Sequence, residues 1–294
     1  MKLTEWQNSG NIFHYKNYEI FYKEENELNT KKETILLIHG FPTASWDWQE
    51  IWYRLSEKFN LLTLDMIGFG FSDKPNHFPY SINEQANLLE AFLEFKNIEN
   101  YHILCHDYGV TVAQELLARL EDKHIKEHRI LSVAFLNGGL FPETHRPRFI
   151  QKVLLSPIGF LVSRLLTKKK FAKSFSAVFG LNKPSHSEIN DFWDLVKYKD
   201  GHLLAHKHIA YMTERKTFRS RWVGVLLKTK VPIVLINGPA DPISGIHMVE
   251  HFRKLNSEVH AIMLPDNVGH YPQVEDPDAV LSAYFSFIKT LSIP

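Results

Sequence analysis

Short apolar runs alternate along the chain with stretches in which apolar residues recur every three or four positions. That is the pattern of buried parallel strands joined by helices packed on the sheet. Ile12 to Lys23 predicts an early β-hairpin. Thr34 to Ile38 is a compact apolar run, expected of a strand covered on both faces, and it ends at His39-Gly40-Phe41-Pro42. Trp48, Ile51, Trp52, Leu55 and Phe59 then follow helical spacing. Leu61 to Leu64 predicts a second buried strand, ending at Asp65 and a turn segment with Gly68, Gly70, Ser72, Asp73 and Pro75. Ser81 and Glu84 fit a capping box, followed by the helical stripe Leu88, Leu89, Phe92 and Phe95. Further strands are predicted at Tyr101 to Cys105, Leu131 to Leu136, Val231 to Asn237 and His260 to Leu264. A last helix should begin at Asp276-Pro277, with Asp as N-cap and Val280, Leu281, Tyr284, Phe285 and Ile288 facing the core.

Between about residues 141 and 223 the strand signal disappears. The segment is rich in helix-compatible stretches, aromatics and basic residues. The alternation elsewhere predicts an α/β fold with a mostly parallel central sheet flanked by helices. Residues 1–140 and 224–294 would form its two parts, and 141–223 an inserted helical cap over the carboxyl ends of the strands, where open α/β sheets bind ligands.

Bulk numbers narrow the function classes. The 294 residues are 44% hydrophobic and 23% charged, ample for a large core. Thirty-four basic against 33 acidic residues give a formal charge of +1, which provides no electrostatic case for nucleic acid. The single Cys105 excludes an internal disulfide framework and fits a reducing, cytoplasmic compartment. Met1 to Gly10 has no apolar signal-peptide core, and no apolar run approaches the roughly 18 residues of a spanning helix. Val153 to Leu166 comes nearest but is broken by Pro157, Gly159 and Arg164 and followed by Lys168, Lys169 and Lys170. It is expected to be a pair of cap helices, with contact to a membrane surface as the lesser alternative.

The chemistry-bearing segment is Cys105-His106-Asp107-Tyr108-Gly109, between a predicted buried strand and a helix with apolar positions Val110, Ala113, Leu116, Leu117 and Leu120. Small residues two places either side of Asp107 are what a sharp strand-to-helix turn needs. This is the nucleophile-elbow layout with Asp in place of serine. The helix N-terminus favours an anion there. A plain N-cap would use the same residue type. Asp241, in Gly238-Pro239-Ala240-Asp241-Pro242, directly follows a strand, and His270 lies on the loop after the last strand. Taken singly, Asp241 could be a turn residue and His270 a polar flank. Together, Asp107, Asp241 and His270 stand at three strand ends in the order nucleophile, acid, histidine. The backbone N–H groups of Phe41 and Tyr108 are the expected pair of oxyanion donors. Asp65 to Ser72 is expected to brace the site, and His106 to pack and hydrogen-bond locally. Trp46, Trp48, Trp52 and Trp193 are expected in the core or pocket wall. His202, His206 and His208 lack a carboxylate completing a metal site, so neither metal nor cofactor is expected.

These segments resemble the epoxide hydrolase and haloalkane dehalogenase branch of the α/β-hydrolase superfamily, across nearly the whole chain. A narrower resemblance is to the mesoderm-specific transcript protein family. It is carried by His106-Asp107-Tyr108-Gly109 continuing to Val112 through Leu117, by Asn137 through Pro147, by Arg221-Trp222-Val223-Gly224, and by His270 through Pro277. The resemblance implies an α/β-hydrolase fold with a helical cap and a catalytic Asp107, Asp241 and His270. Some relatives take the acid from the end of the preceding strand, but Asn137 there is not an acid.

A carboxylate nucleophile suits an sp³ carbon bearing a leaving group, because attack on an ester or amide would give an anhydride. The expected substrate is a small apolar organic molecule, with water as co-substrate and no pattern that specifies an oligomer. Dehalogenases of the branch usually hold halide with a Trp after the nucleophile and an Asn or Trp partner, whereas Tyr108 and Phe41 stand at those positions here. Epoxide hydrolases commonly carry the His-Gly-Phe-Pro form and use two cap tyrosines as proton donors. Tyr211 resembles the second of these, with a core aromatic as its other reading, and Tyr198 is a candidate for the first. An epoxide-hydrolase-like enzyme is therefore the leading expectation. The alternatives are a haloalkane dehalogenase-like hydrolase, a non-catalytic binding protein on the same scaffold, and acyl chemistry on lipids, to which the Asp nucleophile is an objection.

Overall fold

The computed structural model describes residues 1–26, 32–122 and 129–291. Eight strands form one sheet: β1 (Asn11–Tyr15), β2 (Tyr18–Glu25), β3 (Thr34–Ile38), β4 (Asn60–Leu64), β5 (Asn100–Cys105), β6 (Arg129–Phe135), β7 (Ile233–Asn237) and β8 (Ala261–Met263). Their order across the sheet is β1-β2-β4-β3-β5-β6-β7-β8. The β1/β2 and β2/β4 pairs are antiparallel and every other pair is parallel. Every residue of β3 and β4 is buried, which is why those strands read as unbroken apolar runs rather than alternating ones.

Helices α1 (Leu3–Asn8), α2 (Trp52–Ser56), α3 (Ile82–Phe95) and α4 (Tyr108–Glu121) precede β6. Between β6 and β7 every described element is helical: α5 (Phe149–Leu154), α6 (Gly159–Arg164), α7 (Lys168–Ser176), α8 (His186–Lys197), α9 (Ala205–His208), α10 (Tyr211–Thr217) and α11 (Arg219–Leu226), with a 3-10 segment at Tyr198–Leu204. α12 (Ile246–Leu255), α13 (Pro272–Glu275) and α14 (Pro277–Leu291) complete the chain. No helix among the described residues is long and apolar enough to cross a membrane.

Local signals hold with one modification. Asp276 caps α14, accepting the Ala279 N–H at 3.0 Å. Ser81 accepts the Glu84 N–H at 3.2 Å, but the Glu84 carboxylate turns away to Lys16 on the β1–β2 hairpin at 2.8 Å. The capping box is thus half formed, because a cation from a distant segment competes for its acid. Trp46, Trp48, Trp52 and Trp193 are all buried in the core.

Candidate active site

Asp107 leaves β5 with φ 47° and ψ −107°, a backbone conformation that costs a non-glycine residue about 1–3 kcal/mol. The neighbouring strands hold it there: the His106 N–H donates to Ile38 O at 3.0 Å and the Asp107 N–H to Asn137 O at 2.9 Å. Gly109 is required by crowding, since a Cβ there would stand 2.5 Å from the carbonyl oxygen of Ile38. Gly40 is required for the same reason, a Cβ meeting that of Asp107 at 2.6 Å.

Asp107 makes no side-chain capping bond to α4. Its Oδ1 accepts the Phe41 N–H at 2.9 Å, and its Oδ2 lies 3.2 Å from Nε2 of His270. The other ring nitrogen of His270, Nδ1, lies 2.8 Å from Oδ2 of Asp241. Three residues spread over 164 positions therefore meet in one line of hydrogen bonds. The other predicted donor, the Tyr108 N–H, belongs to the first turn of α4, whose N–H groups have no partner inside the helix.

Asp241 is buried and saturated. Besides His270 it accepts from Asn137 Nδ2 (3.0 Å), Ser244 Oγ (2.7 Å) and the Ile243 N–H (2.7 Å). The last bond is the Asx turn expected of an Asp in a tight turn, so its turn role and its contact with His270 coexist. Burial opposes every charge in the group, but the mutual attraction wins. The two carboxylates on His270 raise its pKa to about 10, and the imidazole lowers that of Asp107 to about 2 and depresses that of Asp241.

Asp65 braces the loop after β3, accepting from the Ser45 N–H (2.8 Å), Ser45 Oγ (2.6 Å) and the Phe71 N–H (2.7 Å). His106 departs from the sequence expectation. Its Nε2 reaches not a local group but the carbonyl oxygen of His270, at 2.7 Å. Burial first, and the nearby His270 second, lower its pKa to about 4, so the ring is neutral and carries its proton on Nε2.

Tyr211 is buried, edge-on to Tyr108 at 4.8 Å and under the Arg215 guanidinium at 4.9 Å. Burial and then the charge of Asp107 raise its pKa, which places it in the electrostatic neighbourhood of the site, although it does not line the cavity described below. Tyr198 is elsewhere, packed edge-on against Phe71 at 5.2 Å with Lys74 over its ring. Asn137, His145 and Arg215 carry no role in the sequence reading. The Asn137 amide orients Asp241 and, through Oδ1, accepts the Gly238 N–H at 2.7 Å. His145 has both ring nitrogens sealed from solvent and unpartnered within the protein. Burial and the Arg215 charge lower its pKa to about 3. The only sequence signal for these three is that they fall in or near the long family-like segments.

Asp107 and His270 open onto a cavity of about 730 Å³. Phe41, Ile150, Phe171, Phe175, Val178 and Tyr271 give it a mainly apolar wall, supplied by the core loops and by α5 and α7. No Trp or Asn lines it among the described residues.

Residues 33–277 match the profile of the alpha/beta hydrolase fold family. The chain is 42% identical over 298 residues to the mesoderm-specific transcript protein of Mus musculus, spanning 98% of this chain and 88% of that protein. It is 34% identical over 256 residues to the putative hydrolase LipZ of Mycobacterium tuberculosis, spanning 87% of this chain and 88% of that one. Among solved structures, the haloalkane dehalogenase DbeA-M1 loop variant from Bradyrhizobium elkanii superposes with a TM-score of 0.80 at 18% identity, over 96% of this chain and 97% of that one. At that identity the likeness speaks for the fold alone. The chain belongs to the alpha/beta hydrolase fold family, in the group that holds the mesoderm-specific transcript proteins.

Proposed function

We propose that this protein is a hydrolase that opens an epoxide by nucleophilic attack of Asp107, with residues 141–223 as the lid over the reaction. The observation that carries the reading is the division of labour between the two oxygens of Asp107. Oδ1 is held by the Phe41 N–H, Oδ2 lies against His270 Nε2, and the residue itself lines the cavity.

In the first step Oδ2 attacks a ring carbon. The C–O bond of the epoxide breaks, and the departing alkoxide takes a proton. Tyr211, kept protonated by burial and by the charge of Asp107, stands outside the cavity wall, so the proton reaches the alkoxide through water in the cavity. Esterification removes the charge of Asp107, so His270 loses one of the two carboxylates that keep it protonated. The proton it releases balances the one given to the alkoxide. Neutral His270, oriented by Asp241, then takes a proton from water, and the hydroxide attacks the carboxyl carbon of the ester. The oxyanion forms on Oδ1, which the Phe41 N–H already holds, with the Tyr108 N–H of the first helical turn as the second donor it would recruit. Collapse releases a diol and restores the Asp107 carboxylate beside protonated His270. Neither the Trp and Asn of a halide site nor a cap tyrosine lines the cavity among the described residues, so the His39-Gly40-Phe41-Pro42 form is what favours epoxide over halide.

The test is trapping. His270→Gln, incubated with a reactive aryl epoxide or an alkyl bromide, is examined by intact mass and peptide mapping. An adduct on Asp107 with the full mass of the epoxide supports the proposal. An adduct only from the bromide, heavier by the alkyl group less one hydrogen, points to dehalogenase chemistry. No adduct on Asp107 from either reagent would leave the non-catalytic scaffold as the better reading.

A further inference from the structure

The cap is charged unlike the remainder of the chain. Between Thr144 and Ser187 there are nine basic residues and no acidic one, leaving 25 basic against 33 acidic residues elsewhere. All nine are exposed. None forms an ion pair among the described residues; the cap cations that do, Lys199 with Asp73, Arg219 with Glu143 and Arg221 with Glu115, lie outside this stretch. Large apolar side chains stand in water among these cations. Phe149 is 82% exposed and Leu165 63%, and Ile158, Phe160 and Leu161 are exposed as well. The Arg164 guanidinium lies 5.9 Å over the Phe160 ring, so even the cation–aromatic contact is at the surface.

The two features share one place. Arg148, Phe149, Leu165, Lys170 and Lys173 border the same cavity that Asp107 and His270 open into, so the cationic, apolar patch on α5, α6 and α7 rims its mouth. Exposed Phe and Leu flanked by unpaired Lys and Arg are the composition of an interfacial surface, in which rings enter the acyl boundary and ammonium groups stay among the head groups. A patch of one sign also selects its partner.

We propose that this rim docks peripherally on a membrane surface containing anionic phospholipid, with the cavity mouth facing the bilayer. A second copy of the chain is a poor occupant, because it would bring nine unpaired cations against nine more. A bilayer satisfies the cations and covers the apolar side chains. It also leaves the cavity open to the phase in which apolar molecules dissolve. The docking is independent of which bond Asp107 attacks.

The test is flotation of the full chain with vesicles of phosphatidylglycerol and phosphatidylcholine, against vesicles of phosphatidylcholine alone. Expected is association with the anionic vesicles that weakens as salt is raised, and little with the neutral ones. Lys168→Gln, Lys169→Gln and Lys170→Gln together should lower the partition coefficient on the order of a hundredfold, about fivefold for each cation. Phe149→Ser should lower it independently, with circular dichroism verifying the fold of both variants. The proposal is overturned if the unaltered chain stays in the aqueous fraction. It is equally overturned if binding ignores salt and both variants, or if sedimentation shows the patch occupied by a second copy in a dimer that Phe149→Ser dissolves.

Discussion

The neutral ring of His106 donates from Nε2 to the main-chain carbonyl oxygen of His270 at 2.7 Å. The residue before the elbow thus holds the loop that carries the imidazole, and the relative placement of Asp107 and His270 depends on a bond that neither of them makes. His106→Phe keeps the aromatic volume and leaves that carbonyl without its donor, at a cost of about 1–3 kcal/mol. We expect kcat toward an epoxide that labels Asp107 to fall about 10- to 100-fold while KM changes little. The alkaline limb of the kcat profile should also move, because the tether sets how His270 sits between its carboxylates. Equal loss in kcat and gain in KM, with an unmoved pH profile, would reduce His106 to packing.

Asp107→Asn should abolish turnover and lower the pKa of His270. In the unaltered protein Asp241 and Asp107 together raise that pKa, and the amide removes one of the two charges. Histidine ¹⁵N chemical shifts followed through a pH titration read the value directly. An unchanged His270 pKa in the variant would mean that Asp107 does not control the imidazole, and the proposed release of its proton on esterification would fail with it.

The same shifts give a stability profile. The folded pKa of His270 is raised to about 10 from an ordinary 6.5, so its contribution is complete below pH 6.5 and is lost as pH rises toward 10. The folded pKa of Asp107 is lowered to about 2 from 3.8, so its contribution is complete above pH 3.8 and is lost as pH falls toward 2. The stability advantage of the unaltered protein over His270→Gln should therefore be greatest between about pH 4 and 6.5 and shrink on either side. Urea unfolding of both proteins across pH checks it; an advantage that grows from pH 6.5 to 10 has the wrong sign.

Gly109→Ala should unfold the elbow region rather than merely slow it. Its Cβ would lie 2.5 Å from Ile38 O and 2.7 Å from His39 O, both rigid backbone atoms of the adjacent strand end. A loss of about 1–3 kcal/mol or more is expected from overpacking there. Gly224→Ala is the control, since nothing lies within 4 Å of a Cβ at that position. Equal stability of the two variants would show that the elbow relaxes freely.

Strands β3 to β7 were legible because a strand covered on both faces must be apolar throughout, and Thr34–Ile38 and Leu61–Leu64 carry that requirement in five residues or fewer. The elbow was legible because a small residue stands two places either side of Asp107, and at position 109 crowding by the Ile38 and His39 carbonyls admits nothing larger than glycine. The candidate triad followed from the place of Asp241 and His270 directly after strands. Periodicity and steric demand are local, so one chain displays them without its fold. Side-chain partners are not. Whether Asp107 capped a helix or turned to His270, whether Glu84 closed a box or paired with Lys16, and whether His106 bonded nearby or 164 residues away were decided by what the sheet brought within hydrogen-bond reach. The same holds for Tyr198, carried to Phe71 instead of the cavity, and for Phe149, apolar in sequence yet left in water at the rim. The sequence by itself determined which backbone turns could exist and the order of the groups on them. Only the tertiary structure decided which groups met, because hydrogen bonds and exposure depend on distances that the linear pattern does not contain.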